Sequence, residues 1–261
     1  MSTPPVAHAW DPQAYLAFGD ERSRPFFDLL ARVGAESPSY VVDLGCGPGH
    51  LTATLRRRWP DADVHGVDSS AAMVAQADAL ADDRLGFEVA DLRVFVPSRR
   101  VDVLVSNATL QWIPGHLALL DDLAAWLSPG GWLAFQVPGN FGAPSHRLLH
   151  ELAADPRFAP YTADVARPDS HEPESYLAHL LGLGLRAEVW ETTYLHVLSG
   201  RDPVLRWVSG TGARPVLQAL PEELRAEFES EYAAALRDAY PARDHGTVLP
   251  FRRIFAVAHA P

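Results

Sequence analysis

The sequence predicts an α/β protein built on a mostly parallel, seven-stranded sheet with helices on both faces. Two observations predict it. Short apolar, β-branched runs alternate with segments of helical periodicity, the pattern of strands buried on both faces and joined by crossover helices. A run of glycines follows the first such strand and opens a helix, the place where open sheets of this kind meet ligands. At 261 residues the chain suffices for one large domain spanning 1–261 with insertions, and is too short for two full-sized enzymes.

The elements follow in order. Within 10–30, Tyr15 and Phe18 are three residues apart and share a helical face, with Trp10 five residues before Tyr15. Strands are expected at 40–44, 63–67, 85–90, 101–106 and 131–138. Between them, 51–58 reads as a helix closed by Pro60, and 70–81 as a helix with Ser69 or Ser70 as its N-cap. A third helix, 117–127, ends at the Ser-Pro-Gly-Gly turn of 128–131. After Pro138 the rhythm breaks. Residues 139–172 read as a proline-containing insertion with one short helix at 145–154. A helix at 174–181 and a strand at 187–197 come next. A second insertion, 202–245, looks helical in two pieces, 203–209 and 221–239, before a last strand at 252–259. Both insertions are expected to form a cap.

Composition narrows the partners. No apolar run approaches the ~20 residues of a membrane-spanning helix, and the N-terminus lacks the regions of a signal peptide. The single cysteine, Cys46, cannot form an internal disulfide, which agrees with a reducing compartment and a cytoplasmic location. A formal charge of -11 argues against nucleic acid, whose binding rests on clustered cations. The same charge repels a small anion unless positive charge is gathered locally. All 22 basic residues are arginine; coding bias accounts for that simply, yet the guanidinium fork suits carboxylates wherever one faces a pocket. The run Arg56-Arg57-Arg58 reads as a solvated helix face.

The segment Val41-Val42-Asp43-Leu44-Gly45-Cys46-Gly47-Pro48-Gly49-His50 carries most of the inference. Glycine lets backbone approach a ligand closely, and a helix N-terminus behind the loop offers unpaired N–H groups to a carboxylate. The spacing Gly-x-Gly-x-Gly differs from the dinucleotide fingerprint, and no P-loop is present. The segment resembles the first motif of class I methyltransferases that use S-adenosylmethionine (SAM), and that resemblance implies their Rossmann-like fold. It implies that Gly45, Gly47 and Gly49 lie under the methionine part of SAM, with Asp43 helping to bind it. Asp68, 19 residues after Gly49, stands where a carboxylate accepts from ribose hydroxyls, with Ser69 beside it. By the same resemblance Asp91 meets the adenine amino group and Leu92 walls the ring. Asn107 lies near the methionine moiety, and Leu110, Gln111 and Trp112 lie along the reacting centre. Tyr15 closes over SAM as part of an N-terminal lid. The turn Leu127-Ser128-Pro129-Gly130-Gly131 matches an architectural motif of the family.

Four flanking segments bear on the methyl acceptor: 9–18 with Arg22 and Arg24 after it, Val137-Pro138-Gly139-Asn140-Phe141, Val189-Trp190-Glu191-Thr192-Thr193-Tyr194-Leu195-His196, and Pro250-Phe251-Arg252-Arg253-Ile254-Phe255. Strand alternation puts Trp190, Thr192, Tyr194 and His196 on one face and sends Arg252 and Arg253 to opposite faces. These flanks closely resemble the trans-aconitate 2-methyltransferase family. That resemblance implies a monomeric cytosolic enzyme forming a methyl ester on a small polycarboxylate. Arg22, Arg24, His50, Trp112, Asn140, Tyr194, His196 and Arg252 or Arg253 are the acceptor-side candidates. A carboxylate with a pKa of about 4 is already ionised at neutral pH, so no general base and no metal are called for. Orientation supplies the rate. Alternatives are another small acid, an acyl carboxylate on a carrier, or a SAM-binding module without catalysis.

Overall fold

A computed structural model describes residues 19–261, with side chains from residue 23 onward. Trp10, Tyr15 and Phe18 therefore lie outside the described residues, as does the side chain of Arg22. The described chain divides into two compact units. One comprises Gly19–Pro138, Ser170–Thr192 and Arg253–Pro261; the other comprises Gly139–Asp169 and Thr193–Arg252.

The first unit carries the sheet. Helix α1 (Gly19–Leu30) precedes strand β1 (Tyr40–Leu44), then α2 (Thr52–Arg58), β2 (Asp63–Asp68), α3 (Ala71–Ala77), β3 (Leu85–Val89), β4 (Val101–Asn107), α4 (His116–Ala125) and β5 (Leu127–Pro138). Later come α7 (Pro173–Gly182), β6 (Arg186–Leu198) and β7 (Thr247–His259), of which residues 193–198 and 247–252 are counted with the second unit. The strand order is β3-β2-β1-β4-β5-β7-β6. Pairs β3–β2, β2–β1, β1–β4 and β4–β5 are parallel, and β5–β7 is antiparallel. All five residues of β1 are buried, as a strand covered on both faces requires. The chain winds outward through β2 and β3, then returns to place β4 against the other side of β1. A crevice therefore opens at the carboxyl ends of β1 and β4, the switch point of the topology. Arg58 closes the end of α1, donating to the carbonyls of Leu30 and Val33 at 2.6 and 2.7 Å.

The second unit is mainly helical: α5 (Pro144–Ala153), α6 (Ala159–Thr162), α8 (Pro203–Ser209), α9 (Arg214–Ala219) and α10 (Glu222–Ala239). Its core gathers Phe158, Trp207, Phe228, Tyr232 and Leu236. The buried backbone of Ser145 is satisfied twice, its N–H donating to Tyr240 Oη (3.1 Å) and its carbonyl accepting from Tyr232 Oη (2.7 Å).

Several boundaries differ from the sequence expectation. The Ser-Pro-Gly-Gly segment does not simply end a helix. It lies inside β5, where the pairing with β4 shifts between Val101 and Val103, and Gly131 leaves no room for a Cβ beneath the carbonyls of Ser128 and Val101. The expected helix 70–81 tightens after Ala77 into a 3-10 turn, 78–80. Strand β7 begins five residues early, and α6 and α9 were not expected at all. Both are at most six residues long, too short to display a helical period.

Candidate active site

The glycine loop is built by close fits on one side and open space on the other. Gly45 has φ +79°, and a Cβ there would sit 2.0 Å from Thr109 Oγ1. Gly47 has φ +55°, and a Cβ there would meet nothing within 4 Å. Bare backbone at Gly47 thus borders a space that a ligand can occupy. The loop's own amides are consumed: Gly45 and Cys46 donate to the carbonyl of Val67, Gly49 to that of Cys46, and Gly47 to Asp68 Oδ2 at 2.9 Å. Those four amides are therefore spent, and the loop itself offers Cα and carbonyl surface; the unpaired N–H groups expected from the sequence are those of the helix N-terminus behind it, α2.

Asp68 also accepts from the Ser70 amide through Oδ1 at 2.8 Å. Its carboxylate pins the loop to the end of β2, and both oxygens retain lone pairs. Burial raises its pKa, while those two backbone bonds pull it down. Ser69 beside it is exposed. Asp43 is 2% exposed. Burial pushes its pKa up to about 7, against the pull of the Thr52 hydroxyl that donates to Oδ2 at 2.7 Å and with a further push from Asp68. Cys46 is buried, and burial beside these two carboxylates pushes its thiol far above the usual range. His50 is half-buried, and burial lowers its pKa. Asp91 is held by Arg93, whose side chain and backbone bonds keep its pKa low, while Leu92 is buried behind it.

Across the crevice, β4 ends at Asn107 and the chain takes a left-handed turn at Ala108 (φ 56°). A non-glycine residue there stores roughly 1–3 kcal/mol of strain and is concentrated at functional sites. The turn is held by Ala108 N–H donating to the Gln136 carbonyl (2.9 Å) and by Gln111 Nε2 donating to the Ala108 carbonyl (2.5 Å). Gln111 Oε1 is buried with no hydrogen-bond partner among the described residues, an acceptor suited to a cationic donor. Leu110 is buried and Trp112 half-buried. Bare backbone at Gly47, the Asp68 carboxylate and the unmet Gln111 acceptor fit a cationic, hydroxyl-bearing group such as SAM.

The acceptor-side candidates divide between the units. In the first, Arg24 is exposed and forms a 3.8 Å helical ion pair with Asp28. Arg253 is buried, and its Nη1 donates to Gln136 Oε1 at 3.3 Å. In the second, Arg252 donates to the Gly139 carbonyl (3.2 Å), and Asn140 is buried beside it in sequence. Strand β6 alternates as expected, with Trp190, Thr192, Tyr194 and His196 more buried than the residues between them from Glu191 to Val197. His196 packs at a tilt against Trp207, ring centroids 4.5 Å apart, and lies near-parallel to the Tyr194 ring at 6.3 Å. Sequence reasoning missed Thr52, Thr109 and Gln136. The first two sit inside or just beyond recognised motifs, but nothing in their identity announces a partner.

A methyltransferase-domain family model matches residues 18–180. A trans-aconitate 2-methyltransferase of Streptomyces avermitilis is 53% identical over 98% of this chain and 98% of its own length. One from Mycobacterium tuberculosis is 46% identical over 95% and 96%. The chain belongs to the trans-aconitate 2-methyltransferase family. Among solved structures, a chain from the complex between the Haloferax volcanii Trm112 methyltransferase activator and a putative methyltransferase superposes with a TM-score of 0.59 at 21% identity, covering 95% of this chain and 93% of that one. Geranyl diphosphate C-methyltransferase from Streptomyces coelicolor gives 0.54 at 18%, covering 92% and 76%. These two establish the methyltransferase fold of this family member.

Proposed function

We propose that this chain methylates a carboxylate of trans-aconitate, or of a closely similar small polycarboxylic acid, to give a methyl ester. The observation that carries the reading is the 46–53% identity to trans-aconitate 2-methyltransferases over nearly the whole chain. SAM supplies an electrophilic methyl group. The loop Gly45–Gly49, Asp68, Ser69, Asp91, Leu92, Asn107, Leu110, Gln111 and Trp112 are the residues assigned to hold it. Asp43 acts from behind the loop, without reaching the crevice surface. The chain's work is orientation: aligning a nucleophile that is already ionised is worth up to ~7–11 kcal/mol, and excluding water from it adds to that. The segments 139–172 and 202–245 are read as acceptor-side additions to the methyltransferase core, and the enzyme as a cytoplasmic monomer that does not bind nucleic acid. Among the described residues no helix is long and apolar enough to cross a membrane.

A radiolabelled methyl-transfer assay over di- and tricarboxylic acids tests this. A base-labile product with trans-aconitate as the preferred acceptor is expected. SAM binding without turnover on any carboxylic acid would remove the enzymatic reading.

A further inference from the structure

The first unit contains a polar chain in which Gln136, outside every recognised motif, joins Asn107 to Arg253. Asn107 and Gln136 are direct partners in the parallel pair β4–β5, so their side chains leave the same face of the sheet. Pro138, two residues on, shares that face and pairs with Arg253 on β7. The register therefore brings three polar side chains together on one face: Asn107 at 9% exposure, Gln136 at 1% and Arg253 at 7%. Gln136 Nε2 donates to Asn107 Oδ1 at 2.6 Å, and Gln136 Oε1 accepts from Arg253 Nη1 at 3.3 Å.

The order of donors in this chain follows from chemistry. A side-chain amide can be turned end for end, but a guanidinium has donors alone. Arg253 thus fixes Oε1 of Gln136 toward itself, which leaves the Gln136 NH2 for Asn107. Asn107 must then accept through Oδ1, and what it has left to offer is an NH2. That Nδ2 has no partner among the described residues and is not among their fully buried unmet atoms. It stands at the carboxyl end of β4, where the topology opens its crevice. The glycine loop across that crevice spends the amides of Gly45, Cys46, Gly47 and Gly49 on its own structure. Those four amides are not available to a carboxylate in the crevice.

We infer that Gln136 is a positioning residue that locks Asn107 with its NH2 outward, making the end of β4 a donor site for a ligand carboxylate. The charge of Arg253 polarises the chain in the same sense, strengthening the outer donor. The inference rests on the methyltransferase reading, in which a carboxylate comes either from the amino-acid end of the methyl donor or from the acceptor.

Gln136→Glu reverses the device. A glutamate accepts from Arg253 and from the Asn107 NH2, which turns Asn107 Oδ1 outward while preserving shape and adding a charge partner for Arg253. Calorimetry with S-adenosylhomocysteine and with 5′-methylthioadenosine, which lacks the amino-acid end, is read beside the trans-aconitate KM. A loss of at least tenfold for S-adenosylhomocysteine, with methylthioadenosine unchanged, supports the inference and identifies the donor's carboxylate. A rise in the trans-aconitate KM with S-adenosylhomocysteine affinity intact supports it and identifies the acceptor's. No change in any of these, or equal loss for both nucleosides, overturns it. Should the glutamate variant fail to fold, Asn107→Asp, which leaves Gln136 and Arg253 in place, carries the same expectations. Wild-type protein indifferent to S-adenosylhomocysteine would instead sink the functional reading.

Discussion

Burying Asp43 behind the glycine loop sets a titrating carboxyl beside a site expected to take a cation. Its pKa is pushed up to about 7 from 3.8 by burial. Between those values the folded protein binds a proton that the unfolded chain does not, so ligand-free stability falls as pH rises from about 4 to 7. The full penalty is on the order of 4 kcal/mol. Asp43→Asn removes it, and thermal melts of the ligand-free variant should lose most of the decline in Tm between pH 5.5 and 8. A bound sulfonium would pull the carboxyl back toward ionisation. Titration of SAM at pH 7, in two buffers of different ionisation enthalpy, is expected to report release of a fraction of a proton by the wild type and none by Asp43→Asn. Proton-neutral binding by the wild type would mean that the carboxyl does not sense the ligand.

At the scale of elements, the turn after β1 serves packing and ligand approach with different glycines, and substitution separates the two. Gly45→Ala drives a Cβ into Thr109 at a positive φ, so we expect destabilisation of 2 kcal/mol or more, roughly a 4–8 °C fall in Tm. Gly47→Ala meets open space and carries only backbone strain of about 1–2 kcal/mol, yet its methyl enters the space assigned to the ligand. Urea melts and SAM titrations should find Gly47→Ala well folded and at least tenfold weaker in binding; unchanged affinity would place the ligand elsewhere. The loop was legible in sequence because glycine spacing is a backbone requirement written into residue identity. The knob beneath it was not: Thr109 reaches Gly45 from 64 positions away. The helices of 139–169 and 193–252 were only half legible for a related reason, since α6 and α9 owe their existence to packing around Phe158 and Trp207 rather than to any period of their own.

For the molecule as a whole, parallel strands announced the sheet because strands buried on both faces read as unbroken apolar runs, and β1 is such a run. Strand order was not legible in the same way; the antiparallel insertion of β7 between β5 and β6 leaves no local mark on any of the three strands. The pairing of Arg253 with Gln136 depends on that insertion, which is why alternation alone left Arg252 and Arg253 undecided. The division into two units gives the ligand a place in the unfolding behaviour. Every candidate described here for the methyl donor, from Asp43 to Trp112, lies within the sheet unit. S-adenosylhomocysteine at a hundred times its Kd stabilises the state it binds by about 2.7 kcal/mol, or about 5–11 °C for a chain of this size. Scanning calorimetry should show a shift of that magnitude. If the two units melt separately, the transition that moves should be the sheet unit's, identified by its loss of ligand response in Gly47→Ala. A shift confined to the other transition would mean that the donor is bound by the helical unit, against every assignment made from the glycine loop.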